Sequence, residues 1–154
     1  NKNYLMGLSH VAHDCKIGDE VVMCNNALLA GYVELGDKVF MGGGSAVHQF
    51  ARVGTVAMVG GLTRVNQDVV PYTLIECDAE VRGLNTVGMK RANIKPEARS
   101  QIKQAYKILY LSGLSIPSAL ERIQAMPDPA NEITVICEFI RRSKRGICMH
   151  KKKS

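Results

Sequence analysis

Three histidines and one carboxylate within the first fifty residues are the side chains best suited to chemistry. Asp14 directly follows His13, His10 lies three residues before His13, and His48 comes 35 residues after it. A histidine beside a carboxylate is suited to act as a general base, because the carboxylate fixes the tautomer and stabilises the imidazolium that forms. One surface histidine alone indicates nothing, whereas several along one edge of a fold favour a functional site.

A six-residue repeat predicts the elements that position these side chains. Every sixth residue in one series is a branched or sulfur-containing aliphatic: Val11, Ile17, Met23, Leu29, Leu35, Met41, Val47, Val53, Val59 and Val65. A small or β-branched residue stands four positions after each of them. A period of six fits neither an amphipathic helix nor an alternating strand. It is typical of a parallel β-helix built from hexapeptides, with three hexapeptides per triangular coil.

The coil geometry makes specific predictions for residues 5–70, which supply between three and four coils. The aliphatic side chains should point inward and stack from coil to coil. Glycine or asparagine should take the unusual backbone angles at the corners, as at Asn25, Asn26 and Asn66. Residues eighteen apart should lie one above the other. His48 is about two coils after His13, so the histidines are expected near one vertical edge.

The repeat ends at Pro71, and the rest of the chain has a different pattern. We predict a β-helix over residues 1–70, a bridging segment over 71–94 and a small basic helical domain over 95–154. The bridge should hold a short strand at 72–75 and a turn at 82–85. Helices are predicted from Pro96 to about Gly113, over 116–126 and over 133–142, and they should pack as a bundle against the β-helix.

The net charge of +6 belongs to the second half of the chain. Residues 1–70 carry five basic and six acidic side chains, whereas residues 71–154 carry fifteen and eight, with basic runs at 141–145 and 151–153. A basic surface suits acidic partners such as nucleic acid, anionic membrane, phosphorylated small molecules or an acidic carrier protein. Nucleic acid fits poorly, because few aromatic side chains are interleaved with the basic ones.

Neither the apolar segments nor the cysteines indicate an exported or membrane-spanning chain. The sequence shows no secretory, transit or transmembrane stretch. The five cysteines have no CxxC spacing, which favours free thiols in a reducing compartment over disulfides or a zinc site.

Several short motifs together resemble the C-terminal part of the acyl-carrier-protein–UDP-N-acetylglucosamine O-acyltransferases. They are HVAHDC at 10–15, NNALLAG at 25–31, AVHQF at 46–50, QDVVPY at 67–72, RGLN at 82–85 and GMKR at 88–91. The resemblance extends over essentially the whole chain. It implies transfer of a 3-hydroxyacyl group from acyl carrier protein to the glucosamine 3-hydroxyl of UDP-N-acetylglucosamine, the first step of lipid A synthesis.

The resemblance also implies catalytic roles for three residues. His13 would be the general base that deprotonates the sugar hydroxyl, and Asp14 would orient it. The backbone N–H of Gly31 would stabilise the oxyanion that forms on the thioester carbonyl.

The resemblance assigns binding roles as well. His10, His48 and Gln49 would line the cleft for the sugar and the acyl donor. Asn85 and Arg91 would hold the nucleotide, with Arg91 on a phosphate.

The family supplies further expectations for the whole protein. Its fold is a left-handed parallel β-helix followed by a helical domain, and it works as a homotrimer with active sites between subunits. It uses no metal and no cofactor, because the acyl donor is carried on acyl carrier protein. Gly61 matches the position that sets the length of the acyl group, and a glycine there suggests a longer acyl chain. The expected compartment is the bacterial cytoplasm, or an organelle in a eukaryote.

Three departures from the family pattern stand out. Tyr32 replaces a histidine that usually follows the glycine, and Ala92 replaces a second arginine that often follows Arg91. The family's additional N-terminal coils, which give an acidic and a basic residue to the sugar site, do not precede Asn1. We therefore expect a C-terminal piece of the enzyme.

Other interpretations compete with this one. A related hexapeptide N-acyltransferase would use an amine acceptor, but the motifs at 82–85 and 88–91 argue against it. His10, His13 and His48 could in principle bind zinc, as in a carbonic-anhydrase-like site, although Asp14 beside His13 favours a base. A truncated, non-catalytic paralogue that trimerises or binds a carrier protein would account for Tyr32.

Overall fold

Three parallel sheets wrap around one apolar core in the first half of the molecule. The computed structural model describes residues 1–150; the basic run at 151–153 lies outside them. Eleven strands of two residues each follow the repeat: β1 Tyr4–Leu5, β2 His10–Val11, β3 Lys16–Ile17, β4 Val22–Met23, β5 Leu28–Leu29, β6 Glu34–Leu35, β7 Phe40–Met41, β8 Ala46–Val47, β9 Arg52–Val53, β10 Met58–Val59 and β11 Arg64–Val65.

Each strand from β1 to β8 pairs with the strand eighteen residues later, so the chain forms a β-solenoid. Sheet 1 contains β1, β4, β7 and β10, sheet 2 contains β2, β5, β8 and β11, and sheet 3 contains β3, β6 and β9. The register pairs Tyr4 with Val22 in sheet 1, and His10 with Leu28 in sheet 2. The predicted hexapeptide solenoid is confirmed, with about four turns.

Both series of the repeat point into the core. Met23, Leu29 and Met41 of the aliphatic series are buried, and so are Ala27 and Val33 of the small series. Each coil thus contributes three larger and three smaller inward side chains, and burial of each larger one stabilises the fold by about 1.5–3 kcal/mol.

The corners differ from the prediction. A residue with positive φ recurs every sixth position, and the set is Lys2, Leu8, Asp14, Glu20, Asn26, Tyr32, Lys38, Gly44, Phe50, Val56 and Leu62. Of the three asparagines expected there, only Asn26 belongs to it. From Glu20 onward, a backbone hydrogen bond to the preceding coil holds each of these corners, as from Tyr32 N–H to the carbonyl of His13. These bonds offset the roughly 1–2 kcal/mol that the left-handed conformation costs an ordinary residue.

A column of three glycines beside sheet 3 lets successive coils approach closely. A Cβ atom added to Gly18 would lie 2.7 Å from the backbone nitrogen of Asp37. One added to Gly36 would lie 2.6 Å from the backbone nitrogen of Thr55, and one added to Gly54 would lie 2.5 Å from the backbone nitrogen of Pro71. No side chain fits these positions unless the backbone of the next coil moves.

The segment after the solenoid is more ordered than predicted. β12 (Thr73–Glu76) adds to sheet 1 in parallel with β10, and β13 (Glu80–Leu84) pairs antiparallel with it. The turn predicted at 82–85 is wrong, because three of its residues lie in β13. Asn85 instead caps helix α1 (Thr86–Arg91), which the sequence did not predict.

Three longer helices follow where the sequence predicted them. They are α2 (Pro96–Leu111), α3 (Ile116–Gln124) and α4 (Glu132–Arg141), and together they form a second apolar core. Val56 and Val70 of the solenoid contribute to this core, so the helices pack against the β-solenoid.

One cation ties α4 to sheet 3. The guanidinium of Arg52 lies 4.1 Å from the ring centroid of Phe139 and donates to the Phe139 carbonyl at 3.3 Å. It also approaches the carboxylates of Glu34 and Asp68, at 3.9 and 3.8 Å.

Candidate functional site

His13 and Asp14 form a hydrogen-bonded pair at the corner between sheets 2 and 3. Nδ1 of His13 lies 2.9 Å from Oδ2 of Asp14, and the two side chains are 72% and 58% exposed. With Nδ1 hydrogen-bonded to the carboxylate, the tautomer that leaves Nε2 free to accept a proton is favoured. The pair has the arrangement of a general base and its orienting group.

Gly31 lies one coil after His13, directly against the histidine ring. A Cβ atom on Gly31 would come within 2.8 Å of both Cε1 and Nε2 of His13. The neighbouring amides of Ala30 and Tyr32 donate to the carbonyls of Val47 and His13. The Gly31 N–H has no such partner among residues 1–150. A free donor thus lies beside the nitrogen that could accept a proton.

Two further aromatic rings join this corner, and the sequence did not indicate their contacts. The rings of Tyr32 and Phe50 stack with centroids 4.9 Å apart and an interplanar angle of 12°. The His13 ring meets Tyr32 at 5.3 Å and 89°. The eighteen-residue period could have revealed the shared column of Asp14, Tyr32 and Phe50, but not the orientation of the rings.

His10 and His48 lie on the outer face of sheet 2, beside the His13 corner. His10 is in β2, and His48 follows β8, with Nδ1 3.2 Å from the carbonyl oxygen of Gln49. His48, Arg64 and Asp78 help to line a surface cavity of about 500 Å³. The three histidines occupy three neighbouring columns of the solenoid, at and beside the corner between sheets 2 and 3.

Gln49 and Gly61 border the same face on its two sides. Gln49 is two coils after His13 in the same column, whereas Gly61 lies at the corner between sheets 1 and 2. A Cβ atom on Gly61 would be 3.3 Å from the Gly43 carbonyl oxygen, and Gly61 is exposed. The outer face of sheet 2 therefore carries or borders seven of the nine predicted site residues.

Asn85 and Arg91 lie elsewhere, on the outer side of sheet 1. Together with Phe40 and Met58 they line a cleft of about 420 Å³ between sheet 1 and α1. The Asn85 amide is already engaged, since Nδ2 donates to the Val56 carbonyl at 2.8 Å and Oδ1 accepts from Gly88 N–H at 3.0 Å.

Within one chain these two parts of the site are separated. In a triangular coil, the corner between sheets 2 and 3 faces away from sheet 1. His13 and Arg91 of the same chain are therefore on opposite sides of the solenoid. Arg91 is exposed and forms no ion pair with any residue in 1–150.

Neither a metal centre nor a membrane span is found in the described part of the chain. Across residues 1–150, no three histidine, cysteine, aspartate or glutamate side chains converge to hold a metal ion. Over the same residues, every helix is too short or too polar to cross a bilayer. All five cysteines are free thiols, and burial raises the pKa of Cys148 to about 12.

Comparison with known sequences relates the chain to one group of enzymes. A family model described as UDP-N-acetylglucosamine O-acyltransferase, domain 2, matches residues 68–148. An acyl-[acyl-carrier-protein]–UDP-N-acetylglucosamine O-acyltransferase of Thermodesulfovibrio yellowstonii is 48% identical over 96% of this chain. The equivalent protein of Syntrophobacter fumaroxidans is 44% identical over the same share. The chain spans 58% of the length of each relative.

Solved structures agree with the sequence relatives. The Francisella novicida UDP-N-acetylglucosamine acyltransferase superimposes with a TM-score of 0.92 at 34% identity, over 97% of this chain and 56% of that one. The Arabidopsis enzyme gives 0.85 at 35%, over 95% and 55%. By sequence and by fold, the chain belongs to the UDP-N-acetylglucosamine O-acyltransferase family.

Proposed function

We propose that the protein transfers a 3-hydroxyacyl group from acyl carrier protein to the 3-hydroxyl of UDP-N-acetylglucosamine, the first step of lipid A synthesis. The observation that carries this proposal is the hydrogen-bonded His13–Asp14 pair beside the unpaired N–H of Gly31. Acyl transfer to an alcohol needs a base for the hydroxyl and a donor for the oxyanion, and this corner provides both.

The reaction uses these groups in order. Nε2 of His13 takes the proton of the sugar hydroxyl, while Asp14 stabilises the resulting imidazolium. The sugar oxygen attacks the thioester carbonyl, and the Gly31 N–H donates to the oxyanion. When the tetrahedral intermediate collapses, the ester forms and the C–S bond breaks. The carrier thiolate leaves and takes the proton from His13.

The outer face of sheet 2 is the proposed place for the acyl donor and the sugar. His10, His48 and Gln49 provide polar contacts there, and Gly61 leaves the far corner open for the acyl chain. Gly61 is 48 residues after His13, which at three hexapeptides per coil corresponds to about 13 Å along the axis, at a strand spacing of about 4.8 Å.

The separation of His13 from Arg91 favours a site completed by a second copy. In the proposed homotrimer of left-handed β-helices, the sheet 1 cleft of one copy, with Asn85 and Arg91, faces the His13 corner of its neighbour. Arg91 then binds a phosphate of the nucleotide. The helices form a small basic domain that suits an acidic carrier protein. No cofactor is needed, and the proposed compartment is the cytoplasm, or an organelle in a eukaryote.

The test uses an extended chain, defined as this chain preceded by the N-terminal part of the Thermodesulfovibrio yellowstonii relative that it does not match. We expect the extended chain to transfer a 3-hydroxyacyl group from carrier protein to UDP-N-acetylglucosamine. His13→Ala should lower kcat by about 10²- to 10⁴-fold, because general bases contribute that much. The melting temperature should stay unchanged, because His13 is mostly exposed.

The positive control of the assay is the Thermodesulfovibrio yellowstonii protein itself. An extended chain that binds carrier protein without turnover, while that relative is active, would overturn the proposal in favour of a non-catalytic protein. Transfer to an amine of an already acylated sugar, with none to the hydroxyl, would instead indicate an N-acyltransferase.

A further inference from the structure

Three aromatic rings form a continuous contact at the corner that carries the proposed base. Tyr32 lies one coil after Asp14, and Phe50 lies one coil after Tyr32. The stacked pair of Tyr32 and Phe50 is nearly parallel, whereas the His13 ring meets Tyr32 at almost a right angle.

The order of the coils determines which ring faces which. Phe50 occupies the side of Tyr32 that faces the following coil. His13 is on the preceding coil, and the amide of Tyr32 donates to its carbonyl oxygen at 3.1 Å. The His13 and Tyr32 rings are nearly perpendicular, at 89°, which is a favoured arrangement for aromatic pairs.

Packing of the core does not explain these rings. Tyr32 and Phe50 are 47% and 54% exposed, so neither fills the interior. Both also have positive φ, 60° and 64°, a conformation that disfavours bulky side chains. The contacts that the structure shows for these two rings at this corner are with each other and with His13.

We propose that Tyr32, supported by Phe50, is a positioning residue for the His13 imidazole. Asp14 holds one ring atom, Nδ1, and leaves the ring free to swing about that contact. The Tyr32 face restricts this motion and keeps Nε2 beside Gly31. The electron-rich face also attracts the imidazole edge more strongly once the ring has taken the proton, so the contact favours the transition state over the ground state.

This inference rests on the proposed function, and it gives a role to one of the departures from the family pattern. Tyr32 stands where the family usually has a histidine. A tyrosine keeps an aromatic ring there and adds a larger face that stacks on Phe50. The substitution therefore preserves a support for the base.

Kinetics of the extended chain test the proposal. Tyr32→Leu should lower kcat by about 3- to 10-fold, with KM for UDP-N-acetylglucosamine changed less than about twofold, because the lost contact acts in the transition state. Tyr32→Phe should restore kcat to within about twofold, since it keeps the ring. Phe50→Leu should give an intermediate loss. Leu8→Ala, which removes an exposed side chain from another left-handed corner, is the matched control and should leave kcat unchanged.

Two kinetic outcomes would overturn it. If Tyr32→Leu raises KM with kcat intact, Tyr32 binds substrate and does not position the base. If Tyr32→Phe is as impaired as Tyr32→Leu, the hydroxyl acts and the ring does not.

A spectroscopic readout separates this inference from the proposed function. The chain has four histidines, so His13→Gln assigns the His13 ring protons in an NMR spectrum of the extended chain. These protons should lie upfield because they face the Tyr32 ring, and Tyr32→Leu should move them downfield, whereas Leu8→Ala should not. If the parent chain is inactive but the shift occurs, the acyl-transfer assignment fails and the ring contact stands. If no shift occurs, the contact itself is overturned.

Discussion

The ring of His13 lies directly against the backbone of Gly31, and this contact makes one glycine as important to the proposed site as the polar side chains. The glycine serves twice, since it leaves room for the base and exposes an N–H beside Nε2. An alanine would occupy space that the imidazole now fills.

Gly31→Ala should separate activity from stability. The added Cβ would come within 2.8 Å of Cε1 and Nε2 of His13, and the exposed ring can swing aside. We expect kcat of the extended chain to fall at least about tenfold, because a displaced base transfers protons poorly. Its free energy of unfolding should change by less than about 0.5 kcal/mol.

Gly7→Ala is the matched control for this substitution. Gly7 is also a corner glycine, and its Cβ would meet only the Asn25 amide at an ordinary 3.4 Å. Equal kcat for Gly31→Ala and the parent chain would contradict the proposed contact between base and glycine.

How much of the site could be predicted differs from residue to residue. His13, Asp14 and Gly31 could be proposed from the sequence because the family motifs cover them and because a histidine beside a carboxylate is visible there, and the structure brings the three together. The stack of Tyr32 on Phe50 was not found. Counting by eighteen gives their column, but the contact depends on side-chain torsions that no spacing encodes.

At the scale of elements, α4 is held by side chains at both of its ends. Near its C-terminal end, Arg52 of the solenoid binds Phe139. At its N-terminal end, Asn131 makes no side-chain cap, and Asp128 supplies the acceptors instead. The Asp128 Oδ1 accepts from Ile133 N–H at 2.9 Å, and the Asp128 Oδ2 accepts from Thr134 N–H at 2.8 Å.

Arg52→Leu should loosen α4 from the solenoid. The change removes the contact with Phe139 and leaves the buried carboxylate of Asp68 without its cation, although Arg52 N–H still donates to Asp68. We expect a loss of about 2 kcal/mol in urea unfolding, with faster amide exchange in α4.

The control for this change is Arg64→Leu. Arg64 pairs with Asp78 at 3.6 Å, but both side chains are more than four-fifths exposed. Such a pair contributes little, so its removal should cost less than about 1 kcal/mol. Equal losses for the two variants would show that Arg52 does not anchor the helix.

Asp128 should make the stability of α4 depend on pH. Burial alone would raise the pKa of this carboxyl, but hydrogen bonds from Ile133 and Thr134 outweigh burial and lower the pKa below its ordinary value. The ionised carboxylate therefore stabilises the fold above the unfolded-state pKa of about 3.9, and this contribution is lost as the pH falls through the lower pKa of the folded state.

The measurement compares the parent chain with Asp128→Asn. We expect the variant to be about 1 kcal/mol less stable at pH 7, as for a lost helix cap, and the difference to shrink as the pH falls below about 4. A difference that stays constant down to pH 2 would contradict the role of the charge. Asp78→Asn, at an exposed position, is the control.

At the scale of the whole molecule, the opposite placement of His13 and Arg91 makes a prediction about mixed oligomers. His13→Ala and Arg91→Ala should each be nearly inactive in the extended chain. When the two variants are unfolded together and refolded as mixed trimers, about a quarter of the interfaces should combine an intact His13 with an intact Arg91. Activity should return to about that fraction of the parent.

Two observations check this result. Light scattering should give a trimer for the parent and for both variants. Mixing the two folded variants without exchange of subunits should restore no acyltransferase activity, which excludes a contaminating enzyme. If exchanged trimers also remain inactive, His13 and Arg91 do not act across an interface.

The overall architecture was more predictable than its connections. The six-residue period predicted the solenoid because every inward position repeats, and the helical spacing predicted α2, α3 and α4. α1 was missed because it is only six residues long, contains Gly88 and depends on the Asn85 cap. Unusual backbone angles at the corners were predicted for glycine and asparagine, but not for residues such as Tyr32 and Phe50, because the hydrogen bonds between coils that stabilise them are absent from any local pattern.

The column formed by Gly18, Gly36 and Gly54 keeps the axial rise of the solenoid constant from coil to coil. Backbone lies close to backbone at each step, so the spacing of about 4.8 Å per coil cannot be compressed, and the hydrogen bonds between coils oppose stretching. Loss or gain of a single residue would turn the inward set outward, and only whole coils of eighteen preserve every column. Evolution can therefore change the axial distance from His13 to Gly61 only in discrete increments. Any two groups on the solenoid keep a separation that can be counted from the sequence.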